Sequence, residues 1–377
     1  MRLVSWIFLT FLLQTFSGYA QSPGFDTWFT SRALRVDYFL AGNATEETAY
    51  FREMKQEPFW GGSQHNLIDP YDYGTYRYLA FDSASRKLIF SKGFSSLFQE
   101  WQGTDEAKRI RRTFPMSAII PFPKSTIRFV IEKRSFETGE FLPLYECYIN
   151  PSDYFINREK PHSVPVSKLS YMGNPENHAD IVFIAEGYAL QEMPKFLKDA
   201  RRMMDTLLST KPYSAYKDKF NFYGILSPSD SSGVDIPGQG VYSNTAVNSQ
   251  FYTFDMDRYL TTFDTKSIYD LAANVPCDAI VILVNSKQYG GGGFFNLYAI
   301  TTVDHPLSPL VMVHEFGHAF AGLGDEYIGN VSYSGFYNLK IEPWEPNLTT
   351  HVQFERKWQN MMDPDTPVPT PDRKSVV

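Results

Sequence analysis

Residues 21–154 alternate between apolar and other side chains over short segments, which is the pattern of strands buried on one face. Leu34, Val36, Tyr38 and Leu40 occupy every second position of one such segment. Further segments flank turn-forming residues and predict two hairpins, at 76–81 with 87–90 and at 126–133 with 141–149. Because several short strands separated by turns are typical of two packed sheets, residues 21–154 are predicted to form a β-sandwich.

The pattern changes after residue 154. Pro151, Pro161 and Pro165 interrupt a polar stretch that is typical of a linker between domains. Beyond it, residues 193–208 have helical spacing, and continuous apolar runs predict strands covered on both faces at 179–185, 220–226 and 279–284. Strands that alternate with helices predict an α/β layered second domain, so we expect an α+β protein of two domains.

The segment 1–20 has the features of a signal peptide. Arg2 gives a positive start, residues 3–16 form an apolar run, and Gly18-Tyr19-Ala20 is a small-residue cleavage site. The apolar run is shorter than the ~20 residues of a spanning helix, so cleavage is favoured over retention as a membrane anchor. We therefore expect a secreted or extracytoplasmic protein, in the periplasm or at the cell surface.

Composition narrows the possible partners. The chain of 377 residues has a formal net charge of -7. Without a basic stripe it is not expected to bind nucleic acid. Its two cysteines, Cys147 and Cys277, lie far apart in the sequence, and free thiols are favoured over the alternative of a disulfide.

The strongest chemical signal is the run of residues from His314 to His318, which reads His-Glu-Phe-Gly-His. On a helix, side chains four residues apart share one face. Two neutral imidazoles on that face can bind one Zn²⁺, while Glu315 beside them can act on a water in the open position of the metal. The run therefore predicts a zinc-dependent peptidase.

The neighbouring residues predict a well-formed helix around this run. Ser308 is expected to cap it, and Pro309 suits its first turn. An apolar face that packs on a sheet is expected from Leu310, Val311, Val313 and Phe316.

Beyond the second histidine, a glycine and two acids predict the rest of the metal site. Gly322 can adopt a positive φ, end the helix and turn the chain back. Asp325, seven residues after His318, is expected to be the third metal ligand, and the adjacent Glu326 is the alternative.

The segment HEFGHAFAGLGDEY resembles the active-site signature of the M64 peptidases, a family named after an immunoglobulin A protease, within the broader metzincin-like zinc peptidases. The usual metzincin spacing puts a glycine and the third ligand one residue closer to the second histidine than Gly322 and Asp325 lie here. The resemblance implies a zincin-like catalytic domain over residues 155–371. It also implies a protein or peptide substrate that lies extended against an edge strand, which we expect near the glycine run 290–293.

A function of a different class is a surface adhesin. In that case the N-terminal domain would bind a glycan or protein ligand, and the zinc domain would be non-catalytic. Structural zinc sites are usually closed, with four ligands that are rich in cysteine. Two histidines, an adjacent glutamate and no cysteine close in sequence favour the enzyme.

The C-terminal end carries two expectations of its own. Residues 372–377 are what GATCGGAAGAGCGTCGTG encodes, a common end of sequencing adapters, and we expect them to be an artefact of translation through an adapter. The metzincin resemblance implies a methionine turn after the third ligand, for which Met361 and Met362 are weak candidates. The catalytic domain is therefore predicted to be truncated.

Overall fold

The computed structural model describes residues 24–326 and 337–368. The predicted signal peptide and residues 372–377 lie outside the described residues. Within them the fold is a mixture of α and β with several sheets and few helices, as predicted. None of the helices in the two described ranges is both long and apolar enough to cross a membrane.

Two four-stranded sheets, with strand orders β5-β1-β2-β8 and β4-β3-β6-β7, form the N-terminal part. Their strands are β1 (Phe29–Gly42), β2 (Glu47–Glu57), β3 (Tyr76–Asp82), β4 (Leu88–Phe94), β5 (Arg112–Pro123), β6 (Ile127–Arg134), β7 (Phe141–Ile149) and β8 (Ile156–Asn157). Two short helices accompany them, α1 (Phe25–Trp28) and α2 (Leu97–Gln102). The inner faces of both sheets share one core, in which the Tyr78 hydroxyl on β3 donates to the carbonyl of Ile119 on β5.

The predicted hairpins are present, but three strands of these sheets, β2, β5 and β8, were not predicted. The alternating pattern did not reveal β2 and β5, because their burial does not alternate. β2 is exposed over its first half, and β5 is almost continuously buried. β8 follows residue 154, the predicted boundary, yet it pairs in parallel with β2. The predicted linker thus contributes a strand to the N-terminal sheet.

Strand β1 is buried on both faces because the second part of the chain packs against it. Its apolar side chains face the shared core, whereas Arg35 and Asp37 point the other way and are also buried. The Arg35 guanidinium lies 3.1 Å from Asp37, 2.9 Å from Glu57 and 2.8 Å from Asp270, which belongs to the second part. This buried ion cluster joins the two parts of the chain.

The second part is built on a six-stranded sheet of order β15-β16-β14-β10-β11-β9. Its elements, with one separate two-stranded ladder of β12 and β13, are β9 (Val166–Ser170), β10 (Ala179–Glu186), α3 (Met193–Ser209), β11 (Phe220–Ile225), β12 (Ser249–Gln250), β13 (Thr261–Thr262), α4 (Thr265–Ala272), β14 (Ala279–Val284), β15 (Gly291–Phe294), β16 (Tyr298–Thr302) and α5 (Ser308–Ala321). The four inner strands are parallel, and the edge strands β15 and β9 are antiparallel to their neighbours. Short 3₁₀ turns complete the chain at Pro175–Asn177, Leu190–Glu192, Tyr213–Ala215, Lys217–Lys219, Pro237–Gln239, Thr253–Asp255, Phe354–Arg356 and Gln359–Met361.

Layers on both faces of this sheet explain its continuous apolar strands. Along β10, Ile181 and Phe183 pack with α3 and α5, while Val182 and Ile184 face α4 and the N-terminal core. A strand covered on both faces is mostly apolar, and the polar residues near the two ends of β10, Asp180 and Glu186, are buried with hydrogen-bond partners. Both cysteines are free and half-buried, as predicted.

Candidate active site

Helix α5 carries the two histidines and Glu315, but it begins differently from the prediction. Leu307, not Ser308, is its N-terminal cap residue and makes no side-chain cap. Ser308 lies inside the first turn, where its hydroxyl is buried and bonded to that of Thr302 at 3.2 Å. Pro309 is in the first turn as predicted.

The buried face of α5 is also rotated from the predicted one. Leu310 is 68% exposed, so its assignment to the packed face was wrong, and Met312, which was not assigned, is fully buried. Met312 and Phe316, four residues apart, define the stripe that meets the sheet. Val311 lies on its flank and faces β15. The imidazoles of His314 and His318 are thereby directed away from the core.

The edge strand expected near the glycine run is β15, and it includes Gly291, Gly292 and Gly293 themselves. β15 lies so close to α5 that a Cβ on Gly291 would come within 2.8 Å of the Glu315 carboxylate. A Cβ on Gly293 would come within 2.4 Å of the Glu315 carbonyl oxygen and 2.9 Å of His318 Cβ. Only glycine allows the strand to approach the helix this closely.

Three side chains converge at the exposed side of α5. The Nε2 atoms of His314 and His318 are 3.0 Å apart, and Asp325 Oδ1 is 3.2 Å from each of them. Gly322 makes this possible, because it ends the helix in the left-handed conformation, at φ 67°, and its N–H donates to the His318 carbonyl at 3.0 Å. The chain then turns back over the imidazoles, as the sequence predicted.

The two adjacent acids of this turn point to different partners. Asp325 faces both imidazoles, whereas Glu326 accepts a hydrogen bond from Asn347 Nδ2 at 2.6 Å. Tyr327, the next residue, lies outside the described ranges. The structure thus brings Asp325, and not Glu326, together with the two imidazoles.

Hydrogen bonding at His318 leaves a place for positive charge between these groups. His318 Nδ1 lies 2.5 Å from the carbonyl of Leu323, which can only accept, so this nitrogen carries the hydrogen. In the neutral ring, Nε2 is then an acceptor that faces the carboxylate of Asp325, another acceptor. Two facing acceptors need a proton or a metal cation between them.

The metal-free pKa values of the pair reflect the same need. Burial lowers the pKa of His318, but the hydrogen bond to Asp325 and the nearby negative charges outweigh it and raise the pKa to about 9. Burial raises the pKa of Asp325, and the bonds from His314 and His318 outweigh it, so that the pKa lies well below its ordinary value. Without a metal, the proton on His318 supplies the positive charge between the imidazole and the carboxylate of Asp325.

The spacing of the converging atoms fits a zinc ion. Tetrahedral Zn²⁺ with nitrogen and oxygen ligands at ~2.0–2.1 Å separates neighbouring ligand atoms by ~3.3 Å. The separations here are 3.0–3.2 Å. Glu315 also offers a carboxylate oxygen within 4.8 Å of the imidazole nitrogens, so a second acid lies beside the three converging side chains. Burial raises the pKa of Glu315 to about 7, although the two imidazoles oppose the shift.

The N-terminal part reaches this site through residues that the sequence did not single out. Tyr259, whose backbone bridges Gly291 on the edge strand, donates its hydroxyl proton to the carboxylate of Glu100 on α2. Burial raises the pKa of Glu100 to about 7, and the hydrogen bond from Tyr259 opposes the shift. No motif marks either residue, because their meeting depends on how the two parts of the chain pack.

The outer edge of β15, where a substrate strand was predicted to pair, is partly occupied by hydrogen bonds from the chain itself. Leu260 N donates to the Gly291 carbonyl at 3.4 Å, and Ser95 N donates to the Phe295 carbonyl at 3.0 Å. Phe295 N in turn donates to the Ser95 hydroxyl at 2.9 Å. Every second residue of a strand directs its backbone groups to the same side. Gly293 therefore faces the same edge as Gly291 and Phe295, whose backbone groups are already hydrogen-bonded within the chain. Pairing of an extended substrate along the whole edge is therefore not supported.

Comparison with protein families identifies the chain. The family model described as IgA peptidase M64 matches residues 168–377, and that of the peptidase M64 N-terminus matches residues 24–142. The chain belongs to the M64 peptidase family. No curated protein sequence matches it. M64 peptidases are metallopeptidases, so family membership supports a peptidase function with protein or peptide substrates.

One further expectation concerned the methionine turn of this M64 chain. Met361 is 82% exposed, unlike a methionine packed beneath a metal, and Met362 is half-buried. Neither position has the burial expected of such a turn.

Proposed function

We propose that this M64 chain is a zinc-dependent endopeptidase that hydrolyses peptide bonds with Glu315 as the general base. The observation that supports it best is the convergence of two imidazole nitrogens and a carboxylate oxygen, from His314, His318 and Asp325, at separations of 3.0–3.2 Å. Such a set matches the ligand set of catalytic zinc sites, which keep one position open for water.

Each side chain has a distinct part in the proposed reaction. His314, His318 and Asp325 would hold the Zn²⁺, which when bound polarises the scissile carbonyl and lowers the pKa of a water. Glu315 takes the proton of that water as it attacks the carbonyl and passes it to the leaving amine. A carboxyl group whose pKa burial raises to about 7 can accept and release a proton near neutral pH. The Leu323 carbonyl fixes the orientation of the His318 ring.

The fold and location of the enzyme are part of the same proposal. A six-stranded sheet with an antiparallel glycine edge strand above the histidine helix is consistent with a zincin-like catalytic domain. The apolar start of the chain and its small-residue cleavage site favour secretion or an extracytoplasmic location.

Glu315→Gln provides the decisive test. The amide keeps the shape of the side chain but cannot accept the proton, so kcat should fall about 10² to 10⁴-fold. Zinc content should remain near that of the parent, because the metal ligands are unchanged. Metal analysis and hydrolysis of casein, with and without a chelator, measure both quantities. Turnover by the variant at the parent rate would overturn the assignment of Glu315, and chelator-resistant hydrolysis by the parent would overturn zinc dependence.

A further inference from the structure

Asp325 lies on a turn that has no regular structure of its own. Residues 322–326 belong to neither helix nor strand, and the Asp325 side chain is 32% exposed. A ligand on such a segment is well placed only if other contacts fix its backbone, because each free residue costs about 1–2 kcal/mol to order. Leu323 is bonded to helix α5, and the contacts that fix the residues next to Asp325 come from the chain beyond residue 336.

Asn347 makes these contacts with one carboxamide. Its Oδ1 accepts the N–H of Gly324 at 2.8 Å, and its Nδ2 donates to the carbonyl of the same residue at 2.8 Å. Nδ2 also donates to Glu326 Oε1 at 2.6 Å. The side chain thus holds the residues on both sides of Asp325 and leaves the Asp325 carboxylate directed at the imidazoles.

The segment on both sides of Asn347 is itself anchored. The ammonium group of Lys357 donates to the carbonyls of Pro343 and Glu345, each at 2.8 Å, and to that of Leu348. The segment is also packed against the turn, since a Cβ on Gly324 would lie 2.5 Å from a methyl of Leu348. A rigid support of this kind is what a metal ligand on a loop requires.

We propose that Asn347 is a positioning residue of the metal site, which fixes the Asp325 turn and holds Glu326 away from the imidazoles. It determines which of two adjacent acids meets the metal. The inference rests on the proposed function, because it assumes that Asp325 is a zinc ligand. Only an amide can make the three hydrogen bonds of Asn347, since they require one acceptor and two N–H donors on a single side chain.

Zinc affinity, measured by competition with a chelator, tests the proposal in the full chain. Asn347→Ala should weaken zinc binding about 10 to 100-fold, the usual effect of losing a group that orients a ligand. Asn347→Asp keeps the shape and one acceptor but loses both donors and adds a charge beside Glu326, so its loss should be at least as large. Asn338→Ala is the matched control, because Asn338 lies in the same segment and donates to the carbonyl of Phe136, remote in sequence from the histidines.

The absorption spectrum of the Co²⁺-loaded protein adds a readout that general destabilisation would not move. In the Asn347 variants its d–d bands should change, because the acid that binds the metal is less well defined. The melting temperature of the metal-free Asn338 and Asn347 variants checks folding, and Asn347→Asp replaces Asn347→Ala if the latter does not fold. Parental affinity and an unchanged spectrum in both Asn347 variants would overturn the inference and leave the proposed function intact. Failure of the unaltered protein to bind zinc would instead overturn the proposed function.

Discussion

Gly293→Ala should damage the active site although it replaces no residue that takes part in the chemistry. The new Cβ would lie 2.4 Å from the carbonyl oxygen of Glu315 and 2.9 Å from Cβ of His318. Carbon and oxygen meet without repulsion at ~3.3 Å, so the strand and the helix must separate by about 1 Å. Both obstacles are fixed atoms of α5, and a rotamer change cannot relieve the contact.

The expected magnitudes follow from this overlap. Overpacking of a tight contact costs about 1–3 kcal/mol of stability, and each kcal/mol lowers the melting temperature of a unit of this size by about 2–4 °C. A displacement of ~1 Å at catalytic groups costs up to about 10²-fold in rate. The variant should therefore melt several degrees lower and lose about 100-fold in kcat/KM on a peptide substrate.

Gly224→Ala is the control for this experiment. Gly224 lies in β11 of the same sheet, but its Cβ would meet only side chains, the nearest being Phe196 at 3.4 Å. That contact is ordinary, and alanine is favoured over glycine inside regular structure by ~0.5–1 kcal/mol. The control should keep its activity and melt at or slightly above the parent temperature. If Gly293→Ala melts lower but keeps its kcat/KM, the close contact does not position Glu315, and if neither quantity changes the reasoning about the contact is wrong.

Two further predictions concern the third ligand and the joint between the two parts of the chain. Asp325→Ala should lose zinc on gel filtration while Glu326→Ala retains it, because only Asp325 faces both imidazoles; metal analysis showing the reverse pattern would make Glu326 the ligand. Arg35→Met should cost about 3–5 kcal/mol in urea unfolding, because it removes the nearest cation from the buried carboxylates of Asp37 and Glu57. Arg111→Met is the control, because the ion pair of Arg111 is exposed, and it should lower the free energy of unfolding by at most about 1 kcal/mol. An equal loss in the two variants would contradict the role given to burial.

Features that depend on neighbours in the sequence could be predicted well. The histidine spacing, the turn at Gly322 and the return of Asp325 all lie within twelve residues, and each follows from the geometry of one helix and its end. The continuous apolar runs predicted three of the four inner strands of the second sheet, because burial on both faces leaves a clear pattern. The predicted cap at Ser308 was wrong, because its hydroxyl forms a hydrogen bond with the hydroxyl of Thr302, and this tertiary contact outweighs the local preference of serine for a cap position.

The rest of the site depends on pairs that are distant in sequence and carry no local pattern. Asn347 meets the turn from 23 residues away, Ser95 meets Phe295 from 200, and Glu100 meets Tyr259 from 159. Each of these polar residues would be read from sequence alone as a solvent-exposed loop or helix position, because nothing local distinguishes a side chain that faces water from one that faces a strand edge. Two of the three pairs join the N-terminal part to the edge strand beside the catalytic helix. Helix α2 and the residues before it therefore bring the N-terminal part of the chain next to the candidate active site.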